Sequence, residues 1–173
     1  PTSKDILIFK EESEAFTVGI GLSSDEKYFF ITSSDHNTSE QYYFKADEII
    51  PKPKLIDKRK RGIIYSVNSW NGNFYKHTNE DAEDFKIEKT NDLEKKEWET
   101  FIPAREEVLI GGLIFLNNWI IRSETSNALS KLILRNPKNN EEEEIFFSDE
   151  KVIVPGVSLT QRDRNTDTVY LSY

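Results

Sequence analysis

The chain has 173 residues, enough for one domain or for part of a larger one. Its net charge of −8 argues against nucleic acid as the main partner, and no run approaches the roughly 18 apolar residues that a membrane span needs. The lack of cysteine excludes disulfides and thiol chemistry and fits a reducing, cytoplasmic location. The chain also lacks methionine, even at position 1, so we expect it to be a piece of something longer.

Short apolar and aromatic runs separated by turn residues follow one another along the chain and predict strands. The first run, Asp5–Lys10, predicts a strand that pairs outside its own neighbourhood. The clearest group is Ile63–Lys89, where Asn71-Gly72 separates two runs and gives the strongest short-range signal for a hairpin. The other predicted strands are Phe16–Gly21, Lys27–Ser33, Glu40–Lys45, Lys54–Ile56, Ile63–Val67, Asn73–Thr78, Phe85–Lys89, Trp98–Ile102, Val108–Leu113, Trp119–Ser123, Ser130–Leu134, Glu143–Phe147, Val152–Val157 and Thr168–Tyr173.

These strands form a repeat of four. The first strands of successive rounds begin at Phe16, Ile63, Val108 and Val152, so the pattern recurs every 44 to 47 residues. A four-strand period of about 40–50 residues is typical of a β-propeller blade. A β-sandwich also uses many short strands, but it does not predict so regular a period.

We therefore predict an all-β fold, a β-propeller fragment with complete blades at about 16–57, 63–103 and 108–147. Asp5–Lys10 is read as the outer strand of a preceding blade, and Val152–Tyr173 as the first half of a following one. A propeller usually closes with about four to eight blades. We therefore expect an open arc whose uncovered blade faces drive self-association.

The leading strand of each predicted blade is rich in small residues. Gly19 and Gly21 lie in the first, and Gly111 and Gly112 in the third, whereas the second has Ser66 at this place. Small residues allow the backbones of inner strands to approach one another around a propeller axis.

The sequence offers little catalytic chemistry, and we expect no catalytic, cofactor-binding or metal-binding residue in this chain. Gly156-Val157-Ser158 only approaches the Gly-x-Ser-x-Gly turn of a serine hydrolase, because Thr160 stands in place of the second glycine. His36 and His77 lack histidine neighbours at metal-ligand spacing, and we read them as solvated or hydrogen-bonded. The acidic run Glu141–Glu144 is read as a solvated turn.

Alternating strand direction brings the loops between second and third strands and the connectors between blades to one side, which we call the loop face. Loops on a rigid scaffold commonly bind partners. The candidate interdomain or gating residues are Arg59, Arg61, Asn79 and Arg105 on this face, together with Arg122 in the predicted strand Trp119–Ser123. The loop face consists of Ser34–Ser39, Asp57–Gly62, Thr78–Asp84, Pro103–Glu107, Glu124–Asn127 and Ser148–Lys151.

Four stretches, in the same order, resemble the propeller of the prolyl oligopeptidase family of serine peptidases, in its oligopeptidase B (protease II) branch. Phe74–Phe85 resembles that family's "FYI-x-TN-x-x-A-x-NF", and Ser39–Tyr43 resembles "SE-x-x-Y". Phe101–Val108 resembles "LIPHR-x-x-V", and Thr166–Tyr173 resembles "DT-x-x-x-Y-x-Y". Two positions depart from the pattern: Asp84 replaces the usual Asn and Ala104 the usual His.

The resemblance implies a seven-bladed propeller beside a C-terminal α/β-hydrolase domain that carries the catalytic Ser, Asp and His and lies outside this chain. The propeller would gate the access of short peptides, and the parent enzyme would cleave after Arg or Lys. The partners expected are thus the chain's own hydrolase domain and short peptides. The alternatives are a stand-alone propeller scaffold without enzymatic activity and a sandwich-type adhesion module.

Overall fold

The computed structural model describes residues 5–145, 156–158 and 166–172. Within these ranges the regular structure consists of β-strands without helices, which confirms the all-β prediction. The described part accordingly contains no helix able to cross a membrane. The predicted loop Ser148–Lys151 and most of the predicted strand Val152–Val157 lie outside the described residues.

Three antiparallel sheets of four strands follow one another, and within each sheet the strands pair in chain order. The first contains β1 (Thr17–Leu22), β2 (Tyr28–Ser34), β3 (Ser39–Lys45) and β4 (Lys54–Leu55). The second contains β5 (Tyr65–Trp70), β6 (Asn73–Thr78), β7 (Lys86–Thr90) and β8 (Glu99–Ile102). The third contains β9 (Leu109–Phe115), β10 (Ile120–Ser126), β11 (Leu129–Arg135) and β12 (Glu142–Glu144), and a two-stranded sheet pairs β13 (Gly156–Ser158) with β14 (Tyr170–Ser172).

The predicted hairpin at Asn71-Gly72 joins β5 to β6. Both central residues have positive φ, 51° at Asn71 and 75° at Gly72, as a type I′ turn requires. The flanking residues Trp70 and Asn73 are the first pair of the ladder. Asn and Gly adopt this backbone at low cost, so the local sequence fixes the register of the sheet.

The prediction of a strand at Asp5–Lys10 is wrong, because this segment makes no ladder in the described part of the chain. It instead lies against the first sheet, where the ring centroids of Phe9 and Tyr42 are 4.8 Å apart. Ile6 and Leu7 remain 68% and 77% exposed. An apolar run becomes a strand only where a neighbouring edge supplies hydrogen-bond partners.

Apolar side chains pack between consecutive sheets. Phe30 and Tyr43 of the first sheet form one buried cluster with Tyr65 and Phe74 of the second. A separate cluster lies on the other side of the second sheet, so both faces of this sheet pack against a neighbouring sheet.

That second cluster joins the second sheet to the third. Ile87 and Trp70 pack there with Ile110 and Ile120, and both Ile87 and Ile110 are completely buried. On the far side of the third sheet, Ile121 forms a further cluster that Val169 helps to cover. The three sheets thus stack face to face in chain order.

A β-bulge interrupts the pairing of β9 with β10. Arg122 pairs with Leu113 and Glu124 with Ile110, so Gly111 and Gly112 together oppose the single residue Ser123. A Cβ atom on Gly111 would lie 2.0 Å from Ser123 Oγ and 3.0 Å from its carbonyl oxygen. Glycine is therefore required at position 111 because Ser123 lies too close for any side chain, and not because the backbone has a positive φ.

We expect Gly111→Ala to lower the free energy of unfolding by about 1–3 kcal/mol, because the added methyl overpacks the bulge. Gly112→Ala is the matched control, since its Cβ would meet no atom within 4 Å. Urea denaturation of both variants checks the difference. Equal stabilities of the two variants would contradict the close approach.

Candidate interdomain face

The loops that the sequence assigns to the loop face are joined by hydrogen bonds. Ser39 N donates to Ile63 O over 3.0 Å, and Gly62 N donates to Thr38 Oγ1 over 3.2 Å, so the β2–β3 turn meets the connector between the first two sheets. Between the second and third sheets, Ile110 N donates to Asp84 O over 2.9 Å. These bonds fix the β2–β3 turn to the first connector and the loop after β6 to strand β9.

Arg59 holds the first connector to the chain's N-terminal segment. Its Nη2 atom lies 2.6 Å from Glu11 Oε2 and 3.0 Å from Glu40 Oε1. Its guanidinium carbon lies 4.1 Å from the ring centroid of Phe16. The backbone N–H of Arg59 also donates to Glu40 Oε2 over 2.9 Å. The charge of this candidate is therefore neutralised within the chain.

The same contacts stabilise the ionised form of the Glu11 carboxylate. Hydrogen bonds from the Arg59 side chain and then from Ser33 lower the pKa of Glu11 from its ordinary 4.5 to about 2. Charge-assisted hydrogen bonds of this kind favour the ionised carboxylate. The N-terminal segment is therefore attached to the first sheet by an acid-sensitive contact.

Because the pKa of Glu11 is lower in the folded state, its stabilising effect is complete above about pH 4.5 and is lost as the pH falls towards 2. We expect Glu11→Gln to be less stable than the native chain at pH 7 and equally stable near pH 2. Denaturant titrations over this pH range measure the difference. A difference that does not shrink between pH 4.5 and 2 would contradict the role of Glu11.

The side chain of Asn79 forms hydrogen bonds to the same connector at its other end. Its Nδ2 donates to Gly62 O over 2.9 Å, and its Oδ1 accepts from Ile64 N over 2.7 Å. Arg61, in the connector itself, is exposed and forms no side-chain ion pair or hydrogen bond in the described part of the chain. Asn79 thus positions the end of the connector that carries the exposed side chain of Arg61.

Arg105 and Arg122 lie near each other but have different surroundings. Arg122 is only 4% exposed, and its Nε lies 2.6 Å from Glu124 Oε1. Both of its terminal nitrogens donate to the carboxylate of Glu142 over 2.7 Å. Arg105 also pairs with Glu124, but its side chain is 44% exposed. Arg122 thus acts inside the third sheet, whereas Arg105 reaches solvent.

The structure therefore divides the five candidates. Arg59, Asn79 and Arg122 use their polar atoms within the chain, Arg61 is exposed without an ion pair among the described residues, and Arg105 pairs with Glu124 but remains half-exposed. Sequence reasoning missed the carboxylates that pair with the arginines, above all Glu11, Glu40, Glu124 and Glu142. No signal in the sequence connects Glu11 to Arg59, because the fold alone brings them together.

The two histidines belong to no cluster of metal-ligating side chains among the described residues. His77 Nε2 lies 2.7 Å from Ile110 O, and His36 is exposed. Among the described residues there is no group of three or more side chains suited to hold a metal ion.

Comparison with known proteins identifies the domain. A family model for the prolyl oligopeptidase N-terminal β-propeller domain matches residues 1–173. The chain belongs to this family. Oligopeptidase B of Trypanosoma brucei, solved in a closed form with covalently bound antipain, superimposes with a TM-score of 0.88 over 99% of this chain and 26% of that one. At 22% identity this likeness shows the fold, and it confirms the predicted propeller.

Two curated relatives extend the comparison for this propeller. Protease 2 of Moraxella lacunata is 32% identical over 120 residues, which cover 62% of this chain and 17% of that protein. Dipeptidyl aminopeptidase BI of Pseudoxanthomonas mexicana is 27% identical over 179 residues, which cover 100% of this chain and 24% of that protein. The chain therefore spans about a quarter or less of these relatives.

Proposed function

We propose that this chain is the non-catalytic propeller portion of an oligopeptidase B-like serine peptidase. In this proposal the propeller covers a separate α/β-hydrolase domain and admits short peptides, which the parent enzyme cleaves after Arg or Lys. The observation that carries it is the family match over the whole chain. Similarity to a protein named Protease 2 and the shared fold with an oligopeptidase B support the same assignment.

The loop face is the surface that we assign to the hydrolase domain. Arg61 and the half-exposed Arg105 are its outward cations, and their connectors are fixed by Asn79 and Glu124. A rigid loop with a solvated guanidinium suits recognition of a carboxylate on a partner domain, because arginine binds carboxylates in a defined geometry. Domain opening and closing at such a surface is a common way to gate an active site.

Hydrolysis of fluorogenic peptides tests the proposal. We expect the full-length gene product to hydrolyse peptides with Arg or Lys before the scissile bond, and a serine-directed inhibitor to abolish this activity. The chain of 173 residues by itself should be inactive. No hydrolysis by the full-length product would favour a propeller scaffold, and inhibitor-sensitive hydrolysis by this chain alone would refute a non-catalytic role.

We also propose that the parent protein is cytoplasmic, which the lack of cysteine supports. A separate proposal is that the isolated chain self-associates. β1 exposes an apolar stripe in which Val18, Ile20 and Leu22 are 49%, 60% and 43% exposed. Contiguous exposed apolar surface favours association. Sedimentation velocity should show a mass that rises with concentration, and Ile20→Lys should suppress the rise. A monomer at every concentration would contradict this expectation.

A further inference from the structure

A cleft of about 250 Å³ lies between the second and third sheets, beside their leading strands β5 and β9. Ser66 and His77 line it from the second sheet, and Gly112, Leu113 and Phe115 line it from the third. Its volume is suited to a side chain and not to a large cofactor. None of the residues lining it is an acid, a lysine or an arginine.

The bulge and the small residues of the leading strands keep this cleft open. Gly112 belongs to the bulge, and a Cβ atom built on it would meet nothing within 4 Å. Ser66 stands on β5, where a larger residue would project towards β9. The aromatic rings of Tyr75 and Phe115, with centroids 5.0 Å apart, form an apolar wall.

The ring of His77 is held in one orientation at the cleft. Its Nε2 lies 2.7 Å from Ile110 O, and its ring stacks on Phe85 with a centroid distance of 4.5 Å. A carbonyl oxygen only accepts, so Nε2 carries the proton and Nδ1 of the neutral ring is an acceptor. Burial lowers the pKa of His77, which keeps the ring neutral at pH 7.

Two polar atoms in the cleft have no hydrogen-bond partner among the described residues. They are His77 Nδ1 and the hydroxyl of Ser66, and these two residues are direct partners in the β5–β6 ladder. Neither atom is sealed from solvent. An acceptor and a hydroxyl beside an apolar wall are the composition of a small-ligand site.

We propose that this cleft binds one apolar side chain of a peptide, whose neighbouring backbone N–H donates to His77 Nδ1. The proposal rests on the proposed function, which makes peptides the ligand class. The cleft lacks a carboxylate, so it does not suit the Arg or Lys residue at the cleavage point. It is suited to an aliphatic or aromatic residue elsewhere in the same peptide.

Binding is measured on this chain by following the amide signals of Ser66 and Gly112 in an NMR titration. With N-acetylphenylalaninamide we expect both signals to shift and a Kd on the order of 1 mM, as befits a single side chain. N-acetylglycinamide, which has the amide but no side chain, should bind at least about tenfold more weakly. Equal binding of the two amides, or no shift with either, would overturn the proposal.

Gly112→Val fills the cleft and should weaken binding of the phenylalanine amide at least about tenfold. Gly19→Val is the matched control, because Gly19 also lies on a leading strand with nothing within 4 Å of a built Cβ, and it should bind like the native chain. Ser66→Leu serves as a second filling variant if Gly112→Val does not fold. Unchanged binding in a folded filling variant would overturn the proposal. Since no hydrolysis is measured, this result is independent of whether the parent enzyme is a peptidase.

Discussion

Arg122→Met should lower the free energy of unfolding by about 3 kcal/mol, the largest loss that we expect from any single charged residue. Arg122 is 4% exposed and neutralises Glu124 and Glu142 with three hydrogen bonds. Methionine fills much of the same volume, so the loss comes chiefly from two carboxylates that lose their buried cation, after which Glu124 keeps only the half-exposed Arg105 and Glu142 only Arg135. Thermal or chemical denaturation of the variant measures it.

Two further variants separate charge from packing. Arg61→Met removes an exposed arginine and should change stability by less than about 0.5 kcal/mol. Adding Glu124→Gln and Glu142→Gln to Arg122→Met removes the two carboxylate charges that have lost their buried cation and should recover part of the loss. A loss below about 1 kcal/mol for Arg122→Met, or no recovery in the triple variant, would contradict the ion-cluster explanation.

Ile87→Ala should cost about 2–5 kcal/mol, because it leaves a cavity where the second and third sheets pack. Ile87 has no exposed surface and lies in one cluster with Trp70, Ile110 and Ile120. The cost combines lost apolar burial with contacts that the neighbouring strands cannot restore.

Ile87→Val should cost only about 0.5–1.5 kcal/mol, and a graded loss is the mark of a packing effect. Ile49→Ala is the exposed control, since Ile49 is 97% exposed, and its effect should be negligible. If Ile87→Ala were as mild as Ile49→Ala, packing between these sheets would not hold the fold together.

Local sequence was sufficient for the strands and for the order of the sheets. Asn71-Gly72 has one low-energy hairpin geometry. The regular spacing of the strands predicts a repeated four-stranded sheet even though its residues differ from one repeat to the next. Asp5–Lys10 shows the limit of this reasoning. Apolar composition shows that a segment can be a strand, but pairing depends on an edge that composition does not reveal.

The candidate site was harder to predict. Arg122 was predicted as an interdomain candidate, yet it lies in β10, whose sheet packs against an apolar cluster on each face, so alternation does not tell which charge is exposed. Glu11 and Arg59 are 48 residues apart and meet only because the connector returns to the N-terminal segment. Contacts between distant segments depend on tertiary packing, and a single sequence carries no local trace of them.

The gating role is tested most directly by the length dependence of hydrolysis in the full-length protein. Fluorogenic substrates that share one Arg cleavage point, and that range from a few residues to an unfolded protein chain, are compared by kcat/KM. A propeller that covers the active site predicts efficient cleavage of the short peptides and a steep loss with increasing length. Equal kcat/KM for short peptides and long chains would contradict it.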